Sequence, residues 1–208
     1  MDSNRSSSVL IRRRNELHIR SEFSIIKVLE DPDKSGFDKV ISMILKKINT
    51  SDAFAQWEYT SALPEDENGL TNPYHGVTYD EYVAKVLPEI ISYENPVDMP
   101  DWFVPESYYY LWDDNCLVGE FRIRHFLTDA LRKGAGHIGY SVRKDMRGKG
   151  YGTAGLKLTL EIARSIIPED EIFLRVNKDN VASQRVILKN GARIAEEDDS
   201  HYFMRIPK

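Results

Sequence analysis

The stretch Val142-Arg143-Lys144-Asp145-Met146-Arg147-Gly148-Lys149-Gly150-Tyr151-Gly152 constrains the fold more than any other part of this chain. Ahead of it, residues 137–143 read as a strand. Behind it, Leu156, Leu160, Ala163 and Ile167 continue as a helix. The turn therefore feeds a strand into a helix N-terminus. Gly148, Gly150, Gly152 and Gly155 put four glycines into eight residues and strip side chains from the junction, so backbone N–H groups can converge on one point. The helix dipole adds a positive end, and Arg147 and Lys149 add full charges. The natural ligand of such a turn is a phosphate or pyrophosphate. Residues 172–176 form the next strand, so 137–176 is a strand–helix–strand unit. Its two strands are expected as parallel neighbours with a right-handed crossover.

Elsewhere the period changes twice. Residues 23–29 read as a strand. Phe37, Val40, Ile41, Ile44, Leu45 and Ile48 then follow helical spacing and predict an amphipathic helix. Thr78 with Glu81 forms a capping box for a second helix through Tyr82, Val83, Val86, Leu87, Ile90 and Ile91, broken or kinked at Pro88. The residues between these helices are expected to be mostly loop. From 107 onward apolar residues alternate, giving antiparallel strands at 107–112, 117–125 and 137–143. Asn180 caps a helix that Gly191 stops, and two short strands close the chain near 192–195 and 201–206. The whole is an α/β (α+β) domain over 22–208, with a mixed, mostly antiparallel sheet. Residues 1–21, rich in Ser and Arg, read as a flexible arm.

The 208 residues suffice for one self-supporting core. With 28 Lys and Arg against 33 Asp and Glu, the net charge of −5 speaks against a duplex nucleic-acid partner. A single cysteine, Cys116, rules out an internal disulfide and an all-cysteine metal site, and no metal is expected. The longest apolar run, at 108–112, is five residues, too short to span a membrane. A cytoplasmic monomer or homodimer is expected.

Three kinds of phosphate turn compete. A Walker loop needs Ser or Thr after Gly-Lys, but Gly150 follows Lys149. A nicotinamide dinucleotide fingerprint matches as a string at 150–155, yet seven residues separate Val142 from its first glycine. The third kind carries a resemblance. Arg147-Gly148-Lys149-Gly150-Tyr151-Gly152 resembles the Arg/Gln-x-x-Gly-x-Gly/Ala signature of the GNAT N-acetyltransferase superfamily. Val142 stands where that family has a strand-end Val, and Asn180-Val181-Ala182-Ser183 with Gly191 is similar to its Asn-x-x-Ala/Ser helix and closing Gly. Within the superfamily, 122–125 and 136–143 resemble a poorly characterised group of acetyltransferases.

The resemblance implies the acyl-CoA N-acyltransferase fold, with one parallel strand pair splayed for the cosubstrate. It implies direct acetyl transfer from acetyl-CoA to an amine, in a small molecule or a peptide. Val142, Arg147, Gly148, Lys149, Gly150, Tyr151, Gly152, Asn180 and Ser183 are the implied cosubstrate-binding residues. Many relatives carry a Tyr in the last helix as acid to the thiolate, and Ile187 stands in its place. Tyr140 and His137 are therefore the catalytic candidates, with His125 behind them. A non-catalytic acyl-CoA-binding module is the alternative. Ten acids against one lysine in 51–100 favour a cationic acceptor, if that stretch walls the site.

Overall fold

A computed structural model describes residues 9–13, 16–21, 24–29, 41–98, 100 and 102–208. The strands β1 (Val9–Arg13), β2 (Glu16–Ser21), β3 (Ser24–Leu29) and β4 (Ile41–Lys47) pair in succession, all antiparallel. The stretch read as an arm thus includes two described strands. Helix α1 (Ala53–Ala62) follows, then the small hairpin β5 (Asp66–Glu67) and β6 (Leu70–Thr71). Helix α2 (Tyr79–Glu81) runs through a π-helical turn (Tyr82–Val86) into α3 (Leu87–Ser92). The Thr78 hydroxyl accepts from the Glu81 N–H as the capping box requires, and Pro88, which has no N–H to donate, comes just after the π-helical turn inside the helical run. Next come β7 (Glu106–Asp113), β8 (Cys116–Arg124), the short α4 (Asp129–Arg132) and β9 (Ile138–Val142). The chain finishes with α5 (Tyr151–Ile166), β10 (Glu171–Asn177), α6 (Val181–Lys189), β11 (Arg193–Glu197) and β12 (His201–Pro207).

Two expectations fail near the start. Residues 41–47 are a strand, not part of a helix; Phe37 and Val40 lie outside the described residues. In β4, Met43 and Leu45 are buried one residue apart on one face, and Ile44 packs into the cluster on the other. A strand covered on both faces shows no strict alternation, so its apolar residues also satisfy a helical template. Helix α1 falls where loop is expected. Its buried residues are Ala53, Gln56, Tyr59 and Thr60, too small or too polar to draw an apolar stripe.

Sheet order is β1-β2-β3-β4-β7-β8-β9, with a second sheet β10-β12-β11. β7 is buried along nearly its whole length because both faces are covered. Tyr109 and Leu111 join α5 and β10 in one core, whereas Tyr108, Tyr110 and Trp112 join α1, the π turn and α3 in another. Each fully buried aliphatic or aromatic side chain contributes about 1.5–3 kcal/mol.

The break between the sheets positions the site. β9 and β10 are neighbours, but between them the structure shows only the bridge Gly136–Leu174, with the His137 N–H donating to the Phe173 carbonyl at 2.7 Å. Beyond this staple the strands splay with no ladder. Among the described residues no helix is long and apolar enough to cross a membrane.

Candidate active site

A cleft of about 480 Å3 opens in the splay. One wall is the edge of β9, the other is β10 with the start of α6. The Gly-rich turn closes one end, and the β5–β6 hairpin overhangs it.

Hydrogen-bond alternation aims β9 into this gap. The Arg124 N–H donates to the His137 carbonyl and the Arg143 N–H to the Val118 carbonyl, so odd-numbered residues of β9 face β8. The N–H and C=O groups of Tyr140 and the N–H of Val142 consequently point into the splay. The Val142 carbonyl is taken, since Arg147 Nε donates to it at 3.0 Å. The Arg147 guanidinium then grips Glu67 of the hairpin, with Nη1 donating to Oε1 at 2.9 Å. The Arg147 hydrogen bond holds the Glu67 carboxyl below its ordinary range. Arg147 is therefore a clasp between strand end and hairpin.

At the turn, Gly148 has φ +77° and Gly150 φ +89°, and a Cβ built on either would meet nothing within 4 Å. The cradle is open and left-handed, as an anion nest requires. The Ala154 N–H makes a first intrahelical bond of α5, to the Gly150 carbonyl, leaving the N–H groups of Tyr151, Gly152 and Thr153 without helical acceptors. Gly152 has a packing reason too, since its Cβ would stand 3.2 Å from Val186 on α6. Gly155 is fixed entirely by packing, because a Cβ there would lie 2.1 Å from the Phe121 ring. That accounts for the last glycine of the dinucleotide-like string without a ligand.

Lys149 does not line the cleft. It is exposed, with Nζ at 3.6 Å from Met146 Sδ. The Tyr151 hydroxyl donates to Asp113, which raises its pKa to about 12, so only the Tyr151 backbone is free for an anion. Asn180 lines the cleft and caps α6, accepting from the Ser183 N–H at 3.1 Å. Ser183 Oγ lies 2.7 Å from the Tyr140 hydroxyl across the gap.

The two catalytic candidates part company. Tyr140 is in the cleft, its ring stacked on Phe121 at 5.5 Å, and burial pushes its pKa to about 12, so it stays protonated. His137 is fully buried and is not part of the cleft wall. Its Nδ1 accepts from the Phe173 N–H at 2.9 Å, and its Nε2 stands 3.3 Å from Glu169. Burial lowers its pKa to about 4. His137 is a neutral staple between β9 and β10. His125 bonds Ser107 at 2.8 Å, also away from the cleft.

A carboxylate lies behind Ser141. In the sheet register Glu120 stands between Tyr110 and Ser141, and Ser141 Oγ bonds the Tyr59 hydroxyl at 2.9 Å. Burial raises the Glu120 pKa to about 6. Glu120 shares its strand face with Arg122 and Arg124, which suggests an ion pair. Arg124 instead pairs with Glu106, at 2.8 Å, and Glu120 makes no ion pair among the described residues. The visible sequence signal was a carboxylate on the same strand face as two arginines.

A family model described as an acetyltransferase (GNAT) domain matches residues 43–193. The chain belongs to this family. It is a GNAT-family N-acetyltransferase, and acetyl transfer from acetyl-CoA is its general reaction. No curated protein sequence matches. Among solved structures, Mycobacterium smegmatis RimJ in complex with CoA-disulfide aligns with TM-score 0.56 and 19% identity, over 80% of this chain and 82% of that one. The ribosomal-protein-S5-alanine acetyltransferase from Vibrio fischeri aligns with TM-score 0.57 and 16% identity, over 84% and 97%. Campylobacter jejuni PseH in complex with acetyl coenzyme A aligns with TM-score 0.51 and 12% identity, over 80% and 99%. These likenesses show the fold.

Proposed function

We propose that acetyl-CoA lies along the splay and that the acceptor is an amine, in a small molecule or a peptide, entering beneath the β5–β6 hairpin. The observation that carries this is the end of β9, where unpaired strand edge meets two left-handed glycines with open space over them. The N–H groups from Gly148 to Thr153 suit a pyrophosphate, and the Tyr140 and Val142 edge suits an extended amide-bearing arm added like a strand. Acetyl-CoA supplies a thioester carbonyl. The chain supplies the rest.

An alkylammonium has a pKa near 10.4 and must lose its proton before it attacks. Glu120, half ionised at about pH 6, is the group with the right range, and it is the cross-strand neighbour of Ser141, which lines the cleft. N–H groups on the β9 edge are placed to stabilise negative charge on the carbonyl oxygen. The Tyr140 hydroxyl, protonated and opposite Ser183, returns a proton to the thiol side. It fills the role left open by Ile187, which is buried at the back of the cleft.

Of the ten acids counted on for a cationic acceptor, Glu67 alone lines this cleft, and Arg147 holds it. The test is thiol release from acetyl-CoA with matched amines and alcohols. Amines should release thiol, and alcohols of the same shape should not. Release that is equal for both would defeat the amine assignment.

A further inference from the structure

We propose that the acceptor carries a carboxylate, and that Arg122 and Arg175 receive it. The inference rests on transfer taking place in this cleft and names the acceptor class. Both arginines line the cleft. Nearby arginines are spoken for: Arg124 pairs with Glu106 and Arg147 with Glu67. Among the described residues, no carboxylate lies within ion-pair distance of Arg175; Arg122 makes no ion pair within that distance either, with Tyr108, Glu106 and Glu120 acting on it electrostatically from further off.

Arg122 is built in rather than merely exposed. It stands opposite Gly139 in the register, and a Cβ at Gly139 would come 2.7 Å from Arg122 Nε. The absent side chain is what lets the guanidinium lie against β9. There its Nε is packed against the strand, closed off from solvent and without a hydrogen-bond partner. Arg175 alternates with the buried Leu174 and Val176 and so leaves the α5 core side of β10. The two guanidiniums thus belong to the wall away from α6, whose own Arg185 and Lys189 line the cosubstrate side.

A polyamine would meet like charge here. An amine bearing a carboxylate would have its anion paired bidentately, in the geometry guanidinium favours. An amino acid's α-carboxylate and the acidic side chain of a peptide offer the same chemistry.

The test titrates glutarate into the CoA-saturated protein. Saturable binding that weakens about tenfold or more in Arg175→Gln, with CoA affinity unchanged, is expected. Arg122→Gln should act likewise if it folds, and Arg175→Gln decides the matter if it does not. Failure of glutarate to bind, or equal binding in Arg175→Gln, overturns the proposal. Failure of CoA itself to bind would instead strike the earlier assignment of the cleft. Two acceptor pairs separate the sources: alanine against alaninamide, and Glu-Ala-amide against Gln-Ala-amide. The pair whose acidic member is preferred, with the preference erased in Arg175→Gln, names the source; no preference in either overturns the proposal.

Discussion

Arg147 and Glu67 meet across the mouth of the cleft, joining the Gly-rich turn to a hairpin eighty residues earlier in the chain. Because Arg147 Nε also holds the Val142 carbonyl, one side chain sets the end of the β9 edge and the position of the overhanging hairpin together.

Glu67→Gln should therefore separate binding from stability. The pair is partly exposed, so its loss should cost no more than about 1 kcal/mol in denaturant unfolding. The KM for acetyl-CoA should rise several-fold, as the hairpin and the strand end lose their common anchor. An unchanged KM would mean that the clasp is decorative.

Glu120→Gln should lower kcat about 100-fold and remove an acid limb near pH 6 from the rate profile. The sign on stability is opposite. The Glu120 pKa is raised from 4.5 to about 6, so the native state disfavours the charged form above that pH. The variant should be more stable than wild type by about 1–2 kcal/mol at pH 7, and the gain should fade as pH drops from 6 to 4.5. Unfolding at pH 7 and pH 5 reads this directly.

His137 makes the contrary case. Its pKa is lowered from 6.5 to about 4, so its contribution is present above pH 6.5 and is lost as pH falls towards 4, by about 3 kcal/mol. His137→Ala should flatten that part of the stability profile and destabilise at pH 7 by about 2–4 kcal/mol, because the Phe173 N–H is left unpaired. The pH profile of kcat in the folded fraction should not move.

Tyr140→Phe keeps the stack on Phe121 and removes only the hydroxyl shared with Ser183. The expected result is a kcat reduced about 10- to 100-fold with the KM for acetyl-CoA nearly unchanged. A thioester with a more acidic thiol should recover part of the loss, since it leaves without help.

The second half of the fold was legible because its signals are local. Gly148 and Gly150 need left-handed backbone, Asn180 caps a helix, and β8 alternates cleanly over Phe121 and Ile123. The first half was not. Met43 and Leu45 are buried on one face and Ile44 packs into the cluster on the other, which erases the period-two pattern, and Gln56 and Thr60 are buried where an apolar stripe is expected. The candidate site divides in the same way. The turn was visible in the glycines, but the partners of Arg147, His137 and Glu120 are 80, 36 and 21 residues away, brought together only by the sheet register. His137 looked chemical because sequence does not show that both its nitrogens face protein.

Calorimetric titration of acetyl-CoA into wild type and Gly150→Ala tests the central claim most directly. The substitution places a methyl group in the open cradle at φ +89°, where backbone strain costs only about 1–2 kcal/mol and no neighbour is displaced. One site in wild type, and affinity weakened at least about tenfold in a variant that still folds, is the expected result. Undiminished binding to folded Gly150→Ala would contradict the account.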